Sequence, residues 1–229
     1  MSEVSDRRAR KKAQTRAEIR RAAQALFAEH GFEAVTIADI AGAADVAVQT
    51  VFNHFPTKEE LFFDGYATWV DGLAGAVRNR PAGMRPLAVV RAYSEGLLRE
   101  VTEHSGSDER RRYVTLLNDS PSLRAYELRL LERAELQLRA ALNEAWSADL
   151  ALALSPAEIR VTVALTAALW VSAGSSLMRE LRNAQLSEDD AAGVTEAVRA
   201  LAARVYDALE AQTDAAPILR VAGEVRRAG

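Results

Sequence analysis

Residues 36–58 read TIADIAGAADVAVQTVFNHFPTK, and the fold of the whole chain is read outward from them. The pattern predicts two short helices broken by a tight turn, with small apolar side chains where they cross and a polar second helix. Such a unit can lay one helix in the major groove of a duplex. Ile37, Ile40, Ala41 and Ala44 form the inner face of the first helix, and Val46, Val51 and Phe55 close a small core against Leu26 and Phe27. The outward residues of the second helix are then Ala47, Val48, Gln49, Thr50, Asn53 and His54. Gln49 can make a paired contact to an adenine edge, and the methyl groups of Val48 and Thr50 can meet a thymine methyl. Thr36, His54 and Lys58 sit where backbone phosphates would pass, Thr36 at a helix N-terminus.

Upstream of that unit the charge is strongly one-sided. Residues 7–21 hold eight cations (Arg7, Arg8, Arg10, Lys11, Lys12, Arg16, Arg20 and Arg21) against one anion, Glu18, although the net charge of the chain is only −3. Such an arm fits phosphate contact, with a solvated terminus as the bland alternative. No cysteine is present, which excludes disulfides, thiol catalysis and cysteine metal sites. The N-terminal stretch lacks the apolar core of a signal peptide, so the expectation is a soluble, cytoplasmic chain. Residues 161–178 carry no charge and approach the length of a membrane span, but Thr162, Thr166, Ser172, Gly174, Ser175 and Ser176 interrupt them. A helix buried on most faces is expected there, and no membrane partner.

Helix signals fill the remainder, and no segment alternates long enough for a strand. Thr57-Lys58-Glu59-Glu60 and Ser155-Pro156-Ala157-Glu158 read as capping boxes, Thr36 with Asp39 as a weaker one. Ser120-Pro121 and residues 187–190 mark further starts. The expectation is an all-α chain of about nine helices, over residues 11–30, two within 36–55, then 58–79, 86–104, 108–118, 121–146, 156–183 and 188–211. The place of the tail after about residue 212 is not read from the sequence. The helix over 58–79 is expected to be continuous, a stiff lever joining a head, residues 1–57, to a body, residues 58–229.

Together Gly31-Phe32, Thr36, Asp39-Ile40-Ala41, Ala43-Ala44, Val46, Thr50, Phe52, Phe55 and Lys58-Glu59-Glu60-Leu61 closely resemble the TetR family of transcriptional regulators. The tract from Phe52 to Glu59 is similar to a subgroup whose helical body is described as binding acyl-CoA-like ligands. The resemblance implies an all-helical homodimer joined through its last two long helices, and ligand-controlled binding to a palindromic operator, usually as a repressor. It adds Arg16, Ala47 and Phe52 to the DNA-facing set. Three positions depart from the family's pattern: Asp45 stands where the turn commonly has glycine, Ala47 where a serine caps the second helix, and Phe52 where a tyrosine hydroxyl often touches phosphate.

In the body, the resemblance places a cavity for a small apolar or acyl-type effector among aromatic residues, with Trp69, Tyr93, Leu97, Tyr113, Leu117 and Trp170 as its expected lining. Ordinary core packing is the alternative for each of them. Arg110, Arg111 and Arg112 could meet ligand phosphates or simply begin a solvated helix. Small and apolar side chains on the last two helices, Ala164, Ala168, Val171, Ser175, Val194, Val198, Leu201 and Val205, form the expected dimer interface. With three histidines, no cysteine and no metal-type spacing, neither catalytic residues, nor a metal, nor a cofactor is expected. A ligand-responsive activator shares the same head. A helical carrier or interaction module without specific DNA binding is the rival from another class.

Overall fold

The computed structural model describes residues 2–65, 67–103, 107–150, 155–186 and 191–215. Ten α-helices account for them: α1 (Ser2–His30), α2 (Ile37–Ala43), α3 (Val48–His54), α4 (Lys58–Phe63), α5 (Trp69–Arg78), α6 (Pro86–Glu103), α7 (Asp108–Asp119), α8 (Pro121–Leu150), α9 (Pro156–Leu186) and α10 (Ala191–Ala215). No strand occurs among the described residues.

Four of the expected helix starts are present, one stronger than anticipated and one weaker. Thr36 and Asp39 form a complete reciprocal box at α2. Ser155 and Glu158 do the same before α9: the Ser155 amide donates to Glu158 at 2.8 Å and the Glu158 amide to Ser155 Oγ at 3.3 Å. Ser120 Oγ accepts from the Leu123 amide at 3.1 Å, with Pro121 at the first position of α8, where a missing N–H costs nothing. At α4, Thr57 Oγ1 accepts from the Glu60 amide at 3.1 Å, but the Glu60 carboxylate does not return to the Thr57 amide, so the expected box is half formed. The start expected over residues 187–190 lies outside the described residues, as does the tail from 216 onward.

The expected continuous helix over 58–79 is instead two helices. Asp64 caps α4 in an extended conformation, and Gly65 follows at φ +87°, a left-handed backbone that stops helix propagation. The Asp64 carboxylate is drawn away to Arg16 Nη2 at 2.7 Å and Arg20 Nη1 at 3.8 Å. A Cβ on Gly65 would also lie 3.2 Å from Arg20 Nη1. Glycine inside an apolar helical pattern is tolerated often enough that periodicity alone does not reveal this break.

The chain forms two compact units. The first comprises Met1–Ala67 with Arg112–Glu127, the second Thr68–Arg111 with Leu128–Gly229. In the first, Ile19, Ala23 and Phe27 of α1 are buried with Ile40, Ala41, Val51 and Phe55. A chain of rings continues that core: Phe27 to Phe32 at 5.1 Å, Phe32 to Phe62 at 5.7 Å, Phe62 stacked on Tyr113 at 4.9 Å and Phe63 stacked on Tyr126 at 5.5 Å. In the second unit α10 packs along α9, and both contact α6, which also packs on α5. Gly72 on α5 makes room for that last contact, since a Cβ there would fall 1.9 Å from the Tyr93 hydroxyl and displace the ring.

By length and composition Pro156–Ala184 is long and apolar enough to cross a membrane, and only a third of its most apolar window is buried inside the protein, less than the burial on most faces expected from the sequence. Its buried side, Ile159, Val163, Ala167, Trp170, Leu177, Leu181 and Ala184, follows a helical repeat. Its opposite side carries the exposed Val161, Leu165 and Leu169.

Candidate nucleic-acid interface

α2 and α3 are held by a turn at Ala44 and Asp45. Asp45 adopts φ +51°, and the Val46 amide returns to the Ala41 carbonyl at 3.0 Å. Aspartate thus occupies the left-handed turn position expected of it, at a cost its short polar side chain reduces. Val51 and Phe55 are fully buried, which fixes the rotation of α3 and turns Ala47, Val48, Gln49, Phe52 and Asn53 outward. Val48 is 41% exposed and Phe52 43%, high values for apolar side chains on a helix this well anchored. Gln49 donates through Nε2 to Asn53 Oδ1 at 3.2 Å, so two amides one turn apart are held together on that face. Thr50 is half-buried, and Ala47 makes no side-chain cap, as its chemistry dictates.

The charged residues expected near phosphates are occupied by the protein itself. Arg16 donates to the His54 carbonyl at 2.6 Å and to Asp64 Oδ1 at 2.7 Å, with its guanidinium 4.0 Å from the centre of the Phe55 ring. It ties the end of α3 to α1 and to the α4 cap. Lys58 donates to the carbonyls of Phe32 at 2.7 Å and Val35 at 2.9 Å, and reaches that of Glu33 at 3.4 Å. Its ammonium also lies 4.3 Å from the Phe32 ring centre. Glu33 in turn accepts from Ser120 Oγ at 2.5 Å and Ser122 Oγ at 3.3 Å. The Ser120 hydrogen bond is the main cause holding the Glu33 carboxyl below the usual range. The loop that delivers Thr36 is therefore fastened from both sides.

Removing the ammonium of Lys58 leaves those carbonyls short of a donor. Lys58→Met should lower the stability of the first unit by about 1–3 kcal/mol, read as a reduced urea midpoint in far-UV circular dichroism. An unchanged midpoint would mean that water replaces the ammonium without cost.

Thr36 Oγ1 donates to Asp39 Oδ2 at 2.7 Å and accepts from the Asp39 amide at 3.2 Å. His54 ends α3 half-buried, and its Nδ1 is enclosed without a hydrogen-bond partner. Burial lowers its pKa first, the nearby Lys12 and Arg16 charges next. Sequence reading missed Glu33, Asp64 and Ser120 as the frame of this surface. Their partners lie up to 89 residues away, a separation that no local pattern encodes.

The six residues expected to line an effector cavity are divided between the units. Tyr113 and Leu117 are buried in the first; Trp69, Tyr93, Leu97 and Trp170 belong to the second. Trp170 is 1% exposed, stacked on Tyr206 at 5.3 Å, and donates through Nε1 to Ser94 Oγ at 3.0 Å, a core position. Trp69, Tyr93 and Leu97 are half-buried, and burial pushes the Tyr93 hydroxyl pKa up. A hollow on the second unit is lined instead by Arg78, Arg129, Glu132, Arg133, Leu136, Gln137 and Ala140. Arg110 is half-buried, Arg111 and Arg112 are exposed, and Arg111 pairs with Asp108 at 3.5 Å, the arrangement of a charged helix start.

Of the expected dimer residues, Val171 and Val198 are buried within the chain. Ala164, Ala168, Ser175, Val194 and Val205 are half-buried, and Leu201 is exposed. The more open apolar line on α9, Val161, Leu165 and Leu169, lies one residue along from Ala164 and Ala168 and was not singled out by the small-residue pattern. No cluster of His, Cys, Asp or Glu suited to a metal occurs among the described residues.

Residues 19–64 match the family of bacterial regulatory proteins described as the tetR family. The HTH-type transcriptional regulator TcmR of Streptomyces glaucescens is 33% identical over 132 residues, which are 56% of this chain and 58% of that protein. The chain thus spans a little over half the length of this relative. Among solved structures, NalD of Pseudomonas aeruginosa, the secondary repressor of the MexAB-OprM multidrug efflux pump, is 21% identical with a TM-score of 0.47, covering 82% of this chain and 96% of its own. GusR of Salmonella enterica is 18% identical with a TM-score of 0.46, covering 85% and 96%.

Proposed function

We propose that this chain, which belongs to the TetR family through residues 19–64, is a cytoplasmic homodimeric transcriptional repressor that a small apolar or acyl-type effector releases from a palindromic operator. The observation that carries the reading is the outer face of α3. Its backbone is fixed by Val51 and Phe55 at 0% exposure, while Val48, Gln49, Phe52 and Asn53 stand open to solvent. A protein that only packed three helices together would have no use for two exposed apolar side chains and a coupled amide pair on a rigid seven-residue helix.

In this reading the division of labour falls near residue 57, with DNA contact before it and effector binding and dimerisation after it. Gln49 reads a base edge, Val48, Thr50 and Phe52 supply apolar contact, and Ala47 lets the helix start approach the duplex closely. Asn53, His54 and Thr36 lie toward the sugar-phosphate backbone, and Arg16 and Lys58 position that surface from beneath. The effector binds in the second unit against the half-buried Trp69, Tyr93 and Leu97. Two copies meet through α9 and α10, placing two heads about one DNA turn apart, roughly 34–36 Å.

Selection of bound duplexes from a random library tests the assignment. An inverted repeat is the expected product, and Gln49→Ala should weaken discrimination at one position of each half-site by about 1–3 kcal/mol. A chain that binds duplex DNA without any fall in affinity as salt rises is not making phosphate contacts, and the carrier reading would then take its place.

A further inference from the structure

Where α5 packs on α6, a notch in one helix is filled by a side chain of the other. Trp69, Gly72 and Ala76 recur at helical spacing along α5, as do Val89, Tyr93 and Leu97 along α6, and all six are half-buried. The two lines touch at Gly72. A Cβ there would fall 1.9 Å from Tyr93 Oη, 2.2 Å from Cζ and 2.9 Å from Cε1, so the hydroxyl end of the ring rests on bare helix backbone. Tyr93 Oη donates to the Thr68 carbonyl at 3.5 Å, the outer limit of a hydrogen bond. The other aromatic pair of this unit is held quite differently. Trp170 and Tyr206 are each 1% exposed, and Trp170 Nε1 donates to Ser94 Oγ at 3.0 Å. Tyr93 is thus a half-open phenol, loosely bonded at its tip, seated where the opposite helix has no side chain.

We propose that the notch over Gly72 is a binding seat for a planar phenolic ligand, which enters by displacing the Tyr93 ring and repeats its two contacts. The inference rests on the effector reading above and adds the ligand's chemistry and its way in. Tyr93 itself shows what the seat accepts: a flat ring against the glycine backbone, with a donor directed at the Thr68 carbonyl. A second fused ring would extend along α5 toward Trp69, three residues before Gly72 on the same side of that helix. Because one phenol replaces another, the exchange gains little in the parent chain. Apparent affinity is then set by how often Tyr93 leaves the notch.

Calorimetric titration of the full chain with 2-naphthol tests the seat. Tyr93→Ala empties the notch. If Tyr93 fills it more than about nine-tenths of the time, the variant should bind at least about ten-fold tighter than the parent. Tyr93→Ala/Gly72→Leu refills the space from α5 and should lose that gain. 2-Methoxynaphthalene has no hydroxyl to donate, so Tyr93→Ala should bind it about three- to ten-fold more weakly than 2-naphthol. Binding by Tyr93→Ala no tighter than by the parent overturns the seat, and equal binding of the two compounds overturns its phenolic chemistry. A second measurement needs no truncated variant. With 3-fluorotyrosine in the parent chain, the Tyr93 fluorine resonance is assigned by its loss in Tyr93→Phe. Saturating 2-naphthol should move it toward the position of a solvated tyrosine, and a resonance that stays in place overturns the exchange. Tight binding that leaves affinity for the selected duplex unchanged supports the seat and overturns the effector reading alone.

Discussion

Replacing Trp170 with alanine should reduce the stability of the second unit by about 3–5 kcal/mol. The indole is 1% exposed at the meeting of α6, α9 and α10. One face stacks on Tyr206, with rings 5.3 Å apart and 7° from parallel. Its Nε1 donates to Ser94 Oγ at 3.0 Å, and Ser94 Oγ donates in turn to the Val90 carbonyl at 2.8 Å. Truncation opens a cavity the size of an indole, leaves Tyr206 unstacked and deprives Ser94 of a donor. Trp170→Phe keeps an aromatic ring against Tyr206 and loses only the hydrogen bond and part of the volume, so a smaller loss, about 1–3 kcal/mol, is expected. Chemical denaturation followed by far-UV circular dichroism separates the two. If Trp170→Ala cost under 1 kcal/mol, the side chain would not be the packing element its contacts describe, and its role as a wall for an effector would regain ground.

Trp170 illustrates what the sequence could and could not disclose. Its position on an inward helical face was legible from periodicity. Whether that face meets protein or ligand depends on Ser94 and Tyr206, which lie 76 residues before it and 36 after it. The head was more transparent because its determinants are local. Val51 and Phe55 sit one turn apart, Thr36 and Asp39 cap their own helix, and Asp45 turns the chain within four residues. The same logic explains the two differences in the body. Gly65 interrupts the expected helix over 58–79 through its own left-handed backbone and through arginines 45 and 49 residues earlier that claim Asp64. On α9 the small-residue pattern points to Ala164 and Ala168, which are half-buried, although the side facing away from the core carries leucines. Composition identified the helix but could not set its rotation, which the packing of Trp170, Leu177 and Leu181 fixes.

That rotation supports the prediction with the largest effect. Val161 and Leu165 are each 58% exposed and Leu169 is 50%, at i, i+4 and i+8, with Leu201 of α10 also 50% exposed. A monomer would leave this line in water, whereas a second copy laying its own α9 across it would bury leucines on both sides and meet the half-buried Ala164 and Ala168 at the edge. In the proposed dimer, Leu165→Glu/Leu169→Glu would place carboxylates opposite carboxylates while disturbing little inside the protomer, since exposed substitutions rarely move stability by more than about 0.5 kcal/mol. Sedimentation velocity should then show a single-copy species with an unchanged thermal melt. Because a dimer engages its second half-site at the high effective concentration set by the first, separating the heads should weaken operator binding by about 10²–10⁴-fold. Val198→Glu, on a side chain 6% exposed within the chain, should instead lower stability before it affects association, so the two defects are distinguishable. A Leu165→Glu/Leu169→Glu protein that remains two-copy with full affinity would move the interface elsewhere. The next apolar pair in line is Leu128 and Leu136 on α8, 63% and 56% exposed, and the same charge substitution there would decide it.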